Sequence, residues 1–413
     1  MEPTDQSFLP EPELGPSSES LPHGMCRRMA APRVLVILGT GPGWSRGILV
    51  GFMAVAHERG WTLLHYNDTS YLNWFADALG PIAAVVAAEF DAPAFSKVQD
   101  APFICVTADK THKKIASVCL DEAAIGRLAY EHLRNTGVRN VSTFRYDESP
   151  FAVAREVAFV EAAHAGDTRV AHGWGVGEGP WDRSENPAAM LAWLRGLPKP
   201  CGIFTCTDGW ARTVARYAQL AGLRIPEDIA LVGADNDVIE CELMSPPLSS
   251  VLIPWREVGR SAATLVHRAL SGKLGASERI VIAPLTVVAR RSSELLAVDD
   301  ALVARAVEWI RAHARQRLTV PTVARAVASG RHRLERAFRR VLGRTIQAEI
   351  RRARVDAAKR LLERSRASVA EVAKQAGFKT ASLLTAAFQR ELGMTPGAYR
   401  RLVRSELEGA DAD

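Results

Sequence analysis

Nowhere in the 413 residues do 18 apolar residues follow one another, so no stretch reads as a membrane-spanning helix. The six cysteines (Cys26, Cys105, Cys119, Cys201, Cys206, Cys241) form no CxxC pair and no zinc spacing. Three of them lie in apolar strand-like runs, where a reduced thiol acts as a small hydrophobe, as suits a reducing cytosol. No cluster of metal ligands, no nucleophile elbow and no P-loop is expected. The Gly-rich segment GTGPGWSRG (39–47) is spaced G-x-G-x-G rather than G-x-G-x-x-G, and no Lys-Ser/Thr pair follows it. A metal, a cofactor and a dinucleotide site are therefore not expected, and neither is an enzyme. Residues 1–31 are rich in Pro, Glu and Ser and lack the apolar core of a signal peptide, so they read as a disordered N-terminal tail.

Positive charge is unevenly placed. Residues 301–413 hold 24 of the 52 Lys and Arg but only 11 of the 46 Asp and Glu. The last quarter of the chain thus carries all the excess positive charge, which points to a nucleic acid or an acidic membrane surface as the partner of one domain. Within it one design occurs twice: a short helix (320–327; 369–375), a turn at a small residue, then a second helix ending at Leu-Gly. Apolar residues recur in steps of three or four, at Val323, Val327, Leu334, Phe338 and Val341, then at Val369, Val372, Ala373, Leu384 and Phe388. This is the helix-turn-helix pattern. A helix over 345–362, with Ile346, Ile350, Ala353, Ala357 and Leu361 in one stripe, joins the copies. Successive major grooves on one face of DNA lie ~34 Å apart, so a stiff spacer lets one chain read two of them.

Before residue 293 the pattern is different. Unbroken apolar runs such as RVLVILG (33–39), AAVVAAE (83–89), CGIFTCTD (201–208) and IALVGADN (229–236) alternate with helical stretches. Strands buried on both faces read this way, and the alternation means parallel βαβ units. About ten such units exceed one compact sheet, so two doubly wound lobes are expected, with ligand beyond the carboxyl ends of the strands. Candidate effector-binding residues stand there: Trp44 and Arg46 in a Gly-rich loop, Asp121 after VCL, Arg155 opening a helix, Asp208 after CGIFTCT and Asp235 after ALVGA. An aromatic face suits sugar C–H surfaces, and carboxylates with a guanidinium suit hydroxyls. Taken singly each acid also reads as a helix N-cap or a surface charge, Asp208 most of all.

VCLDEAAIGRLAYEHLRNTGVRNV and CGIFTCTDGWARTVARYAQLAGLRIPEDIALVGADND, followed by ELMSPPLSSV, resemble the effector core of LacI/GalR-type repressors over about 32–292. The resemblance implies a fold similar to periplasmic sugar-binding proteins, two lobes closing on a small sugar, and sugar contacts by Asp121, Arg155 and Asp235. No LacI-type headpiece precedes Arg33. RVDAAKRLL (354–362), AGFKTAS (376–382) and GMTPGAYR (393–400) resemble instead the AraC-type double helix-turn-helix domain. The domain order resembles that of bacterial xylose operon regulators.

The expected architecture is an α/β two-lobe periplasmic-binding-protein-like sensor (32–293) followed by an all-α double helix-turn-helix domain (294–413). In the first copy the AraC-type resemblance puts His332, Glu335 and Arg336 toward bases, while Arg331, Arg339 and Arg340 suit phosphates. In the second copy it puts Ala381, Ser382, Thr385 and Ala386 at the bases, where only methyl and hydroxyl contacts are on offer. The expectation is a cytoplasmic transcription regulator, an activator working with RNA polymerase. It binds double-stranded DNA as a homodimer and answers a small sugar, a pentose such as xylose being favoured by the resemblance. The alternative is a sugar-metabolism enzyme core fused to a DNA-binding domain.

Overall fold

The computed structural model describes residues 31–71, 80–88, 95–107, 115–174, 187–275, 277–294, 300–392 and 394–407, and residues 32–413 form one compact unit. The tail expected over 1–31 (Ala31 excepted) and a helix expected near 71–78 lie outside the described residues.

Two six-stranded sheets account for the apolar runs. The first holds β1 (Arg33–Ile37), β2 (Thr62–Tyr66), β3 (Ala84–Ala87), β4 (Phe103–Val106), β5 (Ala116–Leu120) and β11 (Arg279–Ile282), in the order β11-β5-β4-β3-β1-β2. All its pairings are parallel; Val34 stands opposite Ala84 and Leu35 opposite Val85. The second holds β6 (Asn140–Phe144), β7 (Arg169–Val170), β8 (Cys201–Thr205), β9 (Ile229–Asp235), β10 (Ser249–Leu252) and β12 (Thr286–Val288), in the order β12-β10-β9-β8-β6-β7. Here β12 alone runs antiparallel, against β10. Helices α1 (Gly43–Glu58) and α7 (Trp255–Leu270) pack together on the first sheet. Their backbones meet closely: a Cβ added at Gly51 would lie 2.0 Å from the Arg256 carbonyl oxygen, so only glycine fits. Helices α2 (Glu122–Thr136), α3 (Pro150–Ala165), α4 (Pro187–Gly196), α5 (Asp208–Leu220) and α6 (Val238–Leu243) belong to the second lobe.

The chain changes lobe three times: at Asp121 between β5 and α2, at 253–254 between β10 and α7, and at 283–285 between β11 and β12. These crossovers are the hinge of the pair. Both lobes are filled by the expected strands; Val34, Val86, Ile104, Val118, Phe204 and Val232 are each fully buried.

The C-terminal part is all helix: α8 (Ala301–His313), α9 (Val320–Ala326), α10 (Arg331–Leu342), α11 (Ile346–Arg364), α12 (Val369–Gln375), α13 (Ala381–Leu392) and α14 (Pro396–Leu407). Thr319 and Ser368 close capping boxes on α9 and α12. After each of these short helices one residue adopts a left-handed conformation, Gly377 at φ +86° in the second copy and Ala328 at φ +51° in the first. At ~1.5 Å per residue the 19 residues of α11 span about 28 Å. Its N-terminal half (Ile346, Ile350, Ala353) completes the first core with Val303, Ile310 and Phe338; its C-terminal half (Val355, Ala358, Leu362) completes the second with Leu384, Phe388 and Tyr399.

The stripe on α11 differs from the sequence expectation. It continues through Ala357 and Leu362, with Leu361 only half-buried, and Val355 and Ala358 are buried as well. Arg352 and Lys359 also bring this helix against the sensor. Leu252, Leu285 and Val288 of the sensor pack into the same apolar cluster.

Candidate effector cleft and DNA-reading face

The carboxyl ends of β5, β8 and β9 converge with the start of α3 at the boundary between lobes. Asp235 ends β9 in a left-handed conformation at φ +108°, and Arg155 rises from the first turns of α3 beside it. Arg155 is 2% exposed. Its Nε donates to Glu122 Oε2 at 2.6 Å, one Nη donates to the Cys206 carbonyl at 2.6 Å, and the same nitrogen lies 3.6 Å from Asp235 Oδ1. Burial works against the guanidinium charge, yet Glu122 and Asp235 outweigh it and raise its pKa. Burial pushes the Asp235 carboxyl up to about 7 against the pull of Arg155, with Glu122 and Asp237 adding to the rise. Phe151 lies under Arg155, its ring centroid 5.0 Å from Cζ, and stacks on Trp210, which also meets Tyr146. The resulting cleft has a charged centre and an aromatic wall.

The other candidates divide. Asp121 N-caps α2, accepting from Ala124 N at 2.8 Å, and stays half-exposed at the crossover near Arg127. Asp208 is not the N-cap of α5; Thr207 is. Asp208 is 1% exposed and lies behind the cleft, accepting from Ser250 Oγ at 2.6 Å and Asp237 N at 2.8 Å. Burial, reinforced by Asp235, holds its carboxyl well above the usual range. Gly233 of β9 makes room for it: a Cβ there would lie 2.2 Å from Asp208 Oδ1.

Trp44 and Arg46 do not sit on a loop. Helix α1 begins at Gly43, after Pro42, so they occupy its first turn. Trp44 packs against Trp255 at 5.9 Å, and the Arg46 guanidinium folds back onto the carbonyls of Thr40 and Gly41. GWSRG (43–47) spells the G-x-S-x-G of a nucleophile elbow, against the expectation that the chain has none. Ser45 is fully buried and donates to the Pro42 carbonyl at 2.9 Å, inside a helical turn rather than on a strained strand–helix corner.

Two residues near the cleft escaped the sequence reading. Glu122, next to Asp121, is the main ion partner of Arg155. Asp237 spans the lobes, N-capping α6 through Oδ1 while Oδ2 accepts from Gly43 N at the start of α1 at 3.1 Å. Both lie within two residues of a chosen acid, so proximity was the available signal.

On α10, Leu334, Ala337 and Phe338 are buried, and His332, Arg336, Arg339 and Arg340 are exposed, with Glu335 half-buried. Arg331 pairs with Glu335 at 2.9 Å and Arg340 with Asp300 at 2.9 Å; Arg336 stands on the exposed face. On α13, Leu384, Ala387 and Phe388 are buried; Ser382 and Ala386 are exposed, while Ala381 and Thr385 are half-buried. Thr385 Oγ1 donates to the Ala381 carbonyl at 3.0 Å. Leu383 is 51% exposed and was not among the residues expected to face DNA. It walls a cleft of about 520 Å³ between the two helix-turn-helix copies, together with Leu318, Ile350, Phe378 and Arg390.

Comparison with known proteins fits both halves. Residues 130–293 match the periplasmic binding protein-like domain and residues 323–402 a helix-turn-helix domain. The xylose operon regulatory protein of Escherichia coli K12 is 26% identical over 394 residues, covering 91% of this chain and 98% of that protein. Its Haemophilus influenzae counterpart is 28% identical over 286 residues, 68% of this chain and 74% of that protein. The chain is homologous to the xylose operon regulators. Among solved structures, that of the xylose-binding transcription activator XylR superposes with a TM-score of 0.57 at 24% identity, over 91% of this chain and 99% of that one. The lac repressor dimer bound to operator matches the fold of the sensor part, with a TM-score of 0.52 at 14% identity over 64% of this chain and 95% of that one. This regulator is thus a transcription factor that joins a two-lobe α/β sensor to a C-terminal DNA-binding helix-turn-helix domain. Among its described residues no helix is long and apolar enough to cross a membrane.

Proposed function

We propose that the regulator is a cytoplasmic, sugar-responsive activator rather than an enzyme, with a sensor over 32–293 controlling a DNA reader over 294–413. The observation that carries the reading is Arg155, held between Glu122 and Asp235 at the meeting of the lobes beside the Phe151–Trp210 wall. A polyol laid on such a site accepts from the guanidinium, donates to the carboxylates and covers the aromatic face with its C–H surface. Both carboxylates of that set are turned to Arg155, Glu122 at 2.6 Å and Asp235 at 3.6 Å, as suits binding. The relatives named as xylose operon regulators favour a pentose, xylose first. Asp121, at the crossover, and Trp44, on the facing helix, complete the proposed contacts. Arg46 and Asp208 shape the first turn of α1 and the base of Asp237, and so act on the effector indirectly.

On DNA, the Arg-rich α10 carries most of the base reading. Arg336 reaches bases, a bidentate guanine contact being worth ~1–3 kcal/mol of discrimination; His332 and Glu335 flank it, and Arg331, Arg339 and Arg340 hold phosphates. The small side chains Ala381, Ser382, Thr385 and Ala386 let α13 dock with weak preference. The regulator works as a homodimer and recruits RNA polymerase. A thermal-shift screen across pentoses and hexoses tests the sensor. A pentose should raise the melting temperature of the wild-type protein and not of Asp235→Ala; an equal shift in both removes Asp235 from the site.

A further inference from the structure

Beyond the two sites, the structure holds a third set of contacts that neither requires. Helix α2 begins at the effector cleft, where Glu122 holds Arg155, and ends at Thr136. From Glu122 to Asn135 the helix rises through 13 steps, about 20 Å. Asn135 meets the DNA reader: Arg344 donates to its carbonyl at 3.2 Å and to Oδ1 at 3.5 Å, and Arg352 donates to the same Oδ1. Arg344 is itself fixed by Glu349 at 2.6 Å. A second anchor lies on β12, just past the β11–β12 crossover. There Lys359 Nζ donates to Thr286 Oγ1 at 2.9 Å and to the Val287 carbonyl at 3.1 Å. Beside these anchors, Leu252 and Leu285, which flank two of the three lobe crossovers, belong to the same apolar cluster as Val355, Ala358 and Leu362 of α11 and Leu384, Phe388 and Tyr399 of the second copy.

We propose that Asn135 is a positioning residue for regulation: through its Arg344 and Arg352 contacts, α2 and the hinge set the orientation of α11, and α11 carries both helix-turn-helix copies with it. The inference rests on the reading of the chain as a sensor controlling a reader. Both ends of α11 lie in the cores of the two copies, so a shift of this helix moves both recognition helices together. Rotation of the lobes about their crossovers moves Leu252 and Leu285 directly. The Asn135 clamp makes that motion bear on α11 instead of sliding past it.

The test needs no effector. A Cβ added at Gly43 would lie 3.3 Å from Asp237 Cβ, close to the ~3.5–4.5 Å that a disulfide spans, so Gly43→Cys with Asp237→Cys locks the lobes together across the cleft on oxidation. The five native cysteines described are all buried, which limits competing bonds. DNA affinity is measured, oxidised and reduced, on a duplex selected from random sequence. The locked and unlocked forms should differ by at least ~5-fold, a normal coupling between sites, and the ratio should fall below ~2-fold when Asn135→Ala is added. A locked-to-unlocked ratio of one in the parent, or a ratio that survives Asn135→Ala, overturns the proposal. Should Asn135→Ala fail to fold, Lys359→Met in the same background carries the same expectation. Because the lock replaces the ligand, a wrong choice of sugar would show in the thermal-shift screen and leave this result standing.

Discussion

Replacing Arg155 by Met keeps most of the side-chain volume and removes the charge. Glu122 and Asp235 then face each other across a buried site without their shared cation, and the Cys206 carbonyl loses its donor. Breaking a buried pair by removing one partner costs ~3–5 kcal/mol, because the group left behind stays charged or must be protonated. The same site offers a control. Removing a second charge with Glu122→Gln leaves one carboxylate where there were two, so the double variant should recover at least ~1 kcal/mol over Arg155→Met alone. Urea unfolding followed through tryptophan emission reads the change, Trp210 standing next to Phe151 under the guanidinium. The midpoint should fall while the slope stays constant, marking lost stability rather than a changed unfolded state. A loss under ~1 kcal/mol, or a double variant no more stable than the single, would refute the view that Arg155 neutralises two buried acids.

Gly233→Ala should cost ~1–3 kcal/mol by overpacking, since its Cβ would enter the space of the Asp208 carboxylate, and calorimetry would register it as a lower melting temperature. His132, bonded to Ser293 Oγ at 2.7 Å, has its pKa pushed down to about 3 by burial, and then by Lys359, Arg352 and Arg311. The unfolded chain therefore binds the extra proton first: stability should decline as pH falls below about 6.5, by at most ~1.4 kcal/mol per unit. In pH-dependent denaturation His132→Gln should flatten that slope, and an unchanged profile would mean the ring is already charged in the fold. Ala328→Gly should stabilise by about 0.5–1 kcal/mol, because glycine relieves the left-handed turn of the first copy, and a drop in melting temperature would contradict it. Arg336→Ala should relax preference at one position of the first half-site, and a binding-site selection with unaltered base frequencies would remove it from the bases.

The strands were legible because parallel sheets covered on both faces demand continuous apolar runs, and those runs, with the two helix-turn-helix copies, are where the sequence places them. The start of α1 was not, since nothing in GTGPGWSRG forbids the loop that Trp44 and Arg46 were expected to occupy; Pro42 and the seat of Ser45 on its carbonyl begin the helix early. The Arg155–Asp235 approach was within reach of the family resemblance. Glu122 was not, because which of two adjacent acids turns inward at a helix start depends on the packing of α2 against α3. Nor was the contact of α11 with the sensor, through Arg352 and Lys359, visible in its pattern. Its period is that of an ordinary amphipathic helix, and Leu252 and Leu285 join its apolar cluster from about a hundred and about seventy residues away.

That sensor-anchored helix bears on how such regulators can be recombined. A sensor and a reader that meet only through a flexible linker are interchangeable parts, and either can be exchanged for another of its kind. Here a cut between 293 and 301 separates the two chains but not the two surfaces. The excised reader would present Arg352 and Lys359 to water without their partners, and the orphaned sensor would bare Leu252 and Leu285, which share the apolar cluster of α11. A chimera of this regulator therefore has to transplant the matching surface along with the domain: α11 must travel with the residues it rests on, or be resurfaced for new ones.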